Sequence, residues 1–359
     1  MHNFLEIQAL QIEISNHCNA SCPQCPRNFF GGKVIPTLPL KSWTLKNFKD
    51  VVDKNLLTQL SNIYFCGTYG DPCTNNALVS IAEYVKSQNP LIQIGLHTNG
   101  GVNTSAFFQR LAKTVDFIAF GIDGLEDTNH VYRRGVSWAR LIKNACSFIE
   151  AGGIAYWDFI VFKHNQHQVN KARELSQNLG FIKFSIKRTG RFLGYDHVER
   201  DTVPVYNRKG KIDYEIALPT NKEYLNDNYQ TINEISQSNT LENYAQTTKI
   251  NCNSKRIREI YIGADGFVFP CGWLHDRMYG PNIINHSDHT RILNLMTQAG
   301  GLLQTNVFYN SLENIVNGPW FKTIEQSWGN NQRLSRCGIM CGESINLIGN
   351  QNIEIVYKK

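Results

Sequence analysis

Apolar residues recur at two spacings along the first half of the chain, and the two alternate. Leu10, Ile12 and Ile14 fall on one face of a strand, with polar residues between them. Thr44 then caps a helix that carries Leu45, Phe48, Val51 and Val52 at helical spacing. Further strands are predicted over 62–66, 91–96, 117–122, 155–162 and 181–186. Helices fall between them, marked by Leu78, Ile81 and Val85, by Phe107, Phe108 and Leu111, by Leu141, Ala145 and Phe148, and by Val169, Ala172 and Leu175. Gly152-Gly153 and Gly180 end the last two helices. Six strand–helix steps in under 200 residues predict an α/β chain with a parallel sheet and right-handed crossovers, either a barrel or a doubly wound sheet. In both, chemistry gathers at the carboxyl ends of the strands. A three-cysteine cluster, Tyr69-Gly70-Asp71-Pro72, Thr98-Asn99 and Asp123 all fall at such ends.

The pattern weakens over 191–250, which is rich in Asn, Asp, Thr, Tyr and Lys and reads as a polar bridging linker. From 251 onward a second cysteine-bearing region begins, with a β-hairpin predicted around Gly263-Ala264-Asp265-Gly266. The expected organisation is a core over 1–190, the linker over 191–250 and a second unit over 251–359. With 359 residues, 42% hydrophobic and 18% charged, the composition excludes a disordered tail, a collagen-like fibre and a coiled coil. No apolar run approaches the ~20 residues needed to span a bilayer, and the N-terminus lacks the pattern of a secretory signal. A cytoplasmic protein with no membrane partner is expected. The net charge of +6 is mild and the basic residues are scattered, so the sequence does not call for a nucleic-acid partner.

Ten cysteines change the picture, because clustered cysteines in a reducing compartment point to metal sites before disulfides. Cys18, Cys22 and Cys25 form C-x3-C-x2-C on one loop. Structural zinc sites want four ligands, and no fourth follows at suitable spacing. Three thiolates suit a 4Fe–4S cluster with one iron left open. Cys252, Cys271, Cys337 and Cys341 form a second set, and spacing alone does not choose between zinc and a fully ligated 4Fe–4S cluster.

Cys18-Asn19-Ala20-Ser21-Cys22-Pro23-Gln24-Cys25 at the end of a first strand resembles the signature of the radical S-adenosylmethionine (SAM) superfamily. The likeness extends over most of residues 9–190. Tyr64-Phe65-Cys66-Gly67-Thr68-Tyr69-Gly70-Asp71-Pro72 resembles that family's second-strand motif in a Gly-Asp-Pro form. Thr98-Asn99-Gly100, and Asp123 with His130 and Arg133, resemble its third- and fourth-strand motifs. The second cysteine set resembles a twitch domain, the shortened relative of the SPASM domain. The implied fold is a partial (β/α)6 TIM-like barrel with a small C-terminal α+β iron–sulfur domain.

The resemblance implies two 4Fe–4S clusters and SAM as cofactors. SAM is expected to be cleaved to a 5′-deoxyadenosyl radical that abstracts a hydrogen atom from substrate. The backbone of Tyr69, Gly70, Asp71 and Pro72 is expected to receive the methionyl ammonium, with Gly70 allowing close approach of the ligand. Thr98, Asn99 and Asp123 are expected near the ribose or carboxylate, and Arg133 on the carboxylate. Two departures stand out: Gln24 replaces an aromatic, and Gly121 stands where many relatives carry Ser. The expected reaction is a two-electron oxidation of a small polar substrate. An auxiliary cluster would be the electron acceptor, and a flavodoxin or ferredoxin the donor. Epimerisation is the alternative, with Cys66 or Cys73 as hydrogen-atom donor. A peptide substrate is a further alternative, disfavoured because a first strand by residue 9 leaves no leader-binding domain ahead of it. A non-catalytic zinc or redox-sensing protein is the reading from another class. His164 and His167, after the fifth strand, are candidate bases near the barrel mouth.

Overall fold

The computed structural model describes residues 1–193, 200–238, 240–280, 286–345 and 352–357. Its centre is a mostly parallel sheet. The strands are β1 (Ala9–Ile12), β2 (Asn62–Phe65), β3 (Gln93–Thr98), β4 (Phe117–Gly121), β5 (Ala155–Ile160) and β6 (Lys183–Lys187). A hairpin, β7 (Thr202–Tyr206) and β8 (Ile212–Ala217), stands outside that sheet. The C-terminal part adds β9 (Glu259–Ile262), β10 (Val268–Phe269) and β11 (Asn352–Val356).

The sheet runs β10-β9-β1-β2-β3-β4-β5-β6-β11. Strands β1 to β6 pair in chain order, all parallel. A doubly wound sheet reverses its order at a switch point; this one has none, so it is the α/β sheet of a partial TIM-like barrel. Helices Leu78–Gln88, Ser105–Leu111, Trp138–Glu150 and Val169–Asn178 supply crossovers, and their apolar stripes pack the outer face. The predicted starts hold at atomic level. Thr44 closes a capping box with Asn47, and Ser137 accepts the Arg140 N–H.

Two features depart from the expected organisation. Strand β9 pairs in parallel with β1, and β11 pairs antiparallel with β6. The C-terminal region therefore extends both edges of the central sheet. The described residues of the polar stretch 191–250 pack down in spite of their composition. Phe192, Val205, Ile216 and Ile232 are buried in the main core, and Tyr206 N–H donates to Phe30 O on the cysteine-bearing loop. No helix among the described residues is long and apolar enough to cross a membrane.

Candidate functional site

The loop after β1 carries Cys18, Cys22 and Cys25, the second buried and the others half-buried. Three N–H groups point at sulfur: Ala20 N and Asn99 Nδ2 at 3.4 and 3.7 Å from Cys18 Sγ, and Arg133 Nη1 at 3.8 Å from Cys22 Sγ. Burial pushes all three thiols up, Cys22 to about 11. They stay protonated unless a cationic group balances their thiolates.

The loop after β2 is held by a residue that the sequence reading passed over. Glu13, 2% exposed just beyond β1, accepts the N–H groups of Tyr69 and Gly70 on Oε1 at 2.8 and 2.6 Å. Its Oε2 accepts the Tyr261 hydroxyl at 3.0 Å. Gly67 leaves room for the carboxylate, since a Cβ there would lie 2.1 Å from Glu13 Oε1. Gly70 is needed for another reason than the expected one. A Cβ on it would lie 2.0 Å from Ser15 O, so the close approach is to the protein's own backbone.

Most of the other predicted contact residues form the frame behind the site. Asp71 accepts the Thr98 hydroxyl at 2.8 Å and the Asn99 N–H at 2.8 Å, tying the second-strand loop to the third. The carbonyls of Asp71 and Pro72 close the short turn Pro72–Thr74 by accepting from Thr74 and Asn75. Asn99 bridges Cys18 and Asn19. Asp123, fully buried, accepts Arg133 Nε and Ile160 N–H, each at 2.6 Å. Burial opposes the Arg133 charge, but Asp123 and the neighbouring Cys22 hold its pKa above the ordinary value. Gly121 makes the space for it: a Cβ there would lie 2.3 Å from Arg133 Nη2. The position where many relatives carry Ser thus leaves its space to a guanidinium.

Inside the sheet lies a chamber of about 1240 Å3. Gln11, Tyr64, Cys66, His97, Asp158 and Lys187 face it from β1, the end of β2, β3, β5 and β6. Asp158 Oδ2 meets Lys187 Nζ at 3.2 Å and His97 Nδ1 at 3.7 Å. Burial lowers His97 to about 4, so its imidazole is neutral near pH 7. Cys66 is pushed up to about 12, chiefly by burial, which keeps its thiol protonated. Cys73 is fully buried and off the chamber wall. His164 and His167 are not on that wall either; His164 stacks on Phe162, with ring centroids 5.3 Å apart. The barrel-facing imidazole is His97, legible only as a polar residue alternating with Ile94, Leu96 and Thr98. Gln11 and Glu13 carry the same signal between Leu10, Ile12 and Ile14.

The second thiols come together too. Cys252, Cys271, Cys337 and Cys341 line one small, mainly apolar cavity. Cys337 and Cys341 lie on helix Ser335–Cys341, where a spacing of four puts both on one face. Gly338 lets that helix meet the helix Leu241–Thr247, since a Cβ there would lie 2.3 Å from Ala245 O. Cys271 and Trp273 border both this cavity and the chamber. Among the described residues, no three His, Cys, Asp or Glu side chains close tightly enough to hold a single metal ion.

A sequence model of the radical SAM superfamily matches residues 12–173, and these residues form a radical SAM domain. Such a domain implies a 4Fe–4S cluster and SAM. Comparison with curated proteins gives no match. Among solved structures, Streptococcus suis SuiB bound to precursor peptide SuiA is similar at 15% identity and a TM-score of 0.54, over 88% of this chain and 66% of SuiB. Native anSMEcpe with bound AdoMet is similar at 15% identity and a TM-score of 0.52, over 95% of this chain and 93% of the other. At these identities the likeness is one of fold. The chain spans just under two thirds of the length of SuiB.

Proposed function

We propose that this radical SAM domain cleaves SAM reductively to oxidise a small polar substrate held in the chamber. One observation carries the reading: Cys25 and Cys271, from the two thiol sets, lie on the wall of the same chamber. The residues fit the groups. Buried, clustered thiols faced by N–H donors suit a cationic cluster. Cys18, Cys22 and Cys25 would hold a 4Fe–4S cluster that, with SAM, supplies a 5′-deoxyadenosyl radical able to take a hydrogen atom from unactivated carbon. Cys252, Cys271, Cys337 and Cys341 would hold a second, fully ligated 4Fe–4S cluster, an electron acceptor with no open iron.

The chain's own residues do the rest. Arg133 would receive the SAM carboxylate, and the Tyr69 and Gly70 carbonyls the ammonium, those of Asp71 and Pro72 being taken up by the turn. Asp71, Thr98, Asn99 and Asp123 keep those groups in place. Asp158, its Oδ2 held by Lys187 and His97, offers Oδ1 to a substrate hydroxyl or amine and accepts the proton released on oxidation. The division into a core over 1–190, a bridge over 191–250 and a cluster-bearing region over 251–359 belongs to the same reading. So do a cytoplasmic location, where free thiols persist, and a flavodoxin or ferredoxin as electron donor.

A peptide substrate is the second reading, favoured by the chamber's volume, which exceeds the ~300–1,000 Å3 of ordinary small-molecule pockets. The protonated Cys66 thiol on the chamber wall favours a redox-neutral variant in which it returns a hydrogen atom. Iron and SAM-cleavage assays after anaerobic reconstitution test the main reading. About eight irons per chain and 5′-deoxyadenosine are expected, falling to about four irons and no cleavage when Cys18, Cys22 and Cys25 are replaced by Ala. Zinc in place of iron, with SAM intact, refutes it.

A further inference from the structure

The second thiol region reaches the first site through a short set of buried contacts. The helix Gly272–His275 begins directly after Cys271. Thr68 Oγ1 donates to Gly272 O at 3.4 Å, and the Tyr69 hydroxyl donates to His275 O at 2.9 Å. From β9, the Tyr261 hydroxyl accepts the Thr68 N–H at 3.3 Å and donates to Glu13 Oε2 at 3.0 Å. Glu13 in turn holds the N–H groups of Tyr69 and Gly70. The helix is locked from behind by His275 Nε2 on Asp265 at 2.9 Å. Glu13, Tyr69, Tyr261 and His275 are each at most 2% exposed, so the bonds they make to one another and to the loop are shielded from water, while Thr68 is half-buried.

We propose that Tyr69, Tyr261 and Glu13 are positioning residues that couple the second thiol set to the first site. On this arrangement, loading of Cys252, Cys271, Cys337 and Cys341 fixes the helix 272–275. That fixes the 67–70 loop and raises the first site's affinity for SAM. The proposal rests on the reading that both thiol sets take clusters and that the loop faces SAM. Coupling of this kind is reciprocal, so SAM tightens the second set by the same factor. The loop moves as a unit with the helix because Gly67 and Gly70 leave no slack against Glu13 and Ser15.

A thermodynamic cycle tests it on the reconstituted full chain. The second set is emptied with Cys252→Ala and Cys341→Ala, neither of which touches the loop. SAM affinity is read from the spectroscopic change it causes in the reduced first cluster. In the otherwise native chain, emptying the second set should weaken SAM about fivefold or more, within the usual range of allosteric coupling. In Tyr69→Phe that ratio should fall clearly below the native one, the Thr68–Gly272 and Tyr261 links remaining, with iron at the first set unchanged. A merely structural Tyr69 would shift both affinities equally and keep the ratio, which overturns the proposal. Amide exchange of residues 67–71 without SAM is the second readout. It should slow on loading the second set in the native chain and respond less in Tyr69→Phe. Absence of SAM binding sinks the functional reading and the coupling with it, whereas SAM binding that is equally tight with the second set full or empty overturns the coupling alone. No loading-dependent exchange, or no metal at the second set, overturns the coupling.

Discussion

Replacing Gly70 by Ala separates two accounts of that glycine. If Gly70 served only to let a ligand approach, the alanine protein would fold normally and lose SAM binding alone. The structure says otherwise. The added Cβ would sit 2.0 Å from Ser15 O and 2.5 Å from Asn16 Cα, both backbone atoms that no side-chain rotation can clear. Either the loop after β1 or the loop after β2 must shift. Overpacking of this kind costs about 1–3 kcal/mol. A shift of the β2 loop also strains the two bonds from the Tyr69 and Gly70 N–H groups to Glu13, at 2.8 and 2.6 Å. Burial pushes the Glu13 carboxyl up, so each bond is taken at the ordinary value of about 0.5–1.5 kcal/mol. The expected loss is about 4 kcal/mol, present with no cofactor bound. Urea unfolding of the metal-free protein, followed by tryptophan fluorescence, measures it. Amide exchange over residues 15–16 and 67–72 localises it. Gly329→Ala, where the nearest atom would be 3.9 Å away, is the control and should stay within about 0.5 kcal/mol. A Gly70→Ala protein as stable as the control would refute the packing argument and restore the ligand-approach account.

Other perturbations follow from the same frame. Thr98→Val keeps the shape but removes the donor to Asp71 and the acceptor of the Gly100 N–H at 3.0 Å. It should cost about 2–3 kcal/mol in the same denaturation assay, with fast exchange at Gly100. Gly121→Ala meets only side-chain atoms, the Arg133 guanidinium and His97 Nε2, and no backbone, so the fold should survive with normal iron content. SAM affinity should drop about tenfold, since the guanidinium leaves its place beside Asp123; an unchanged affinity rules out Arg133 as the carboxylate ligand. His164 has both ring nitrogens buried with no partner among the described residues, and burial lowers it to about 4 from 6.5. The unfolded chain binds its proton near pH 6.5 and the folded one only near pH 4, so this group removes stability as pH falls through that window. His164→Phe should therefore flatten the acid decline of the unfolding temperature between pH 6.5 and 4.5; parallel curves for the two proteins would sink the assignment.

The linear sequence determined what depends on local spacing. Period-2 and period-3.6 apolar patterns set the six strand–helix steps, because each element must bury one face near its neighbours in the chain. C-x3-C-x2-C places three thiols on one loop whatever the rest of the chain does, so that set was legible at once. The hairpin at Gly263–Gly266 was legible for the same reason. Contacts between distant segments were decided only by the folded chain. Glu13 looks like one more polar residue on a strand until Tyr261, 248 positions later, is brought against it by β9 pairing with β1. Asp71, Thr98 and Asp123 fall where ligand contacts were expected, yet the packing commits their polar atoms to one another and to Arg133. Cys271 becomes part of the chamber wall only because the C-terminal region closes the sheet's edges. Periodicity reports which face of an element is buried. Which partner buries it is a property of the tertiary structure, set by pairing and packing between elements far apart in sequence.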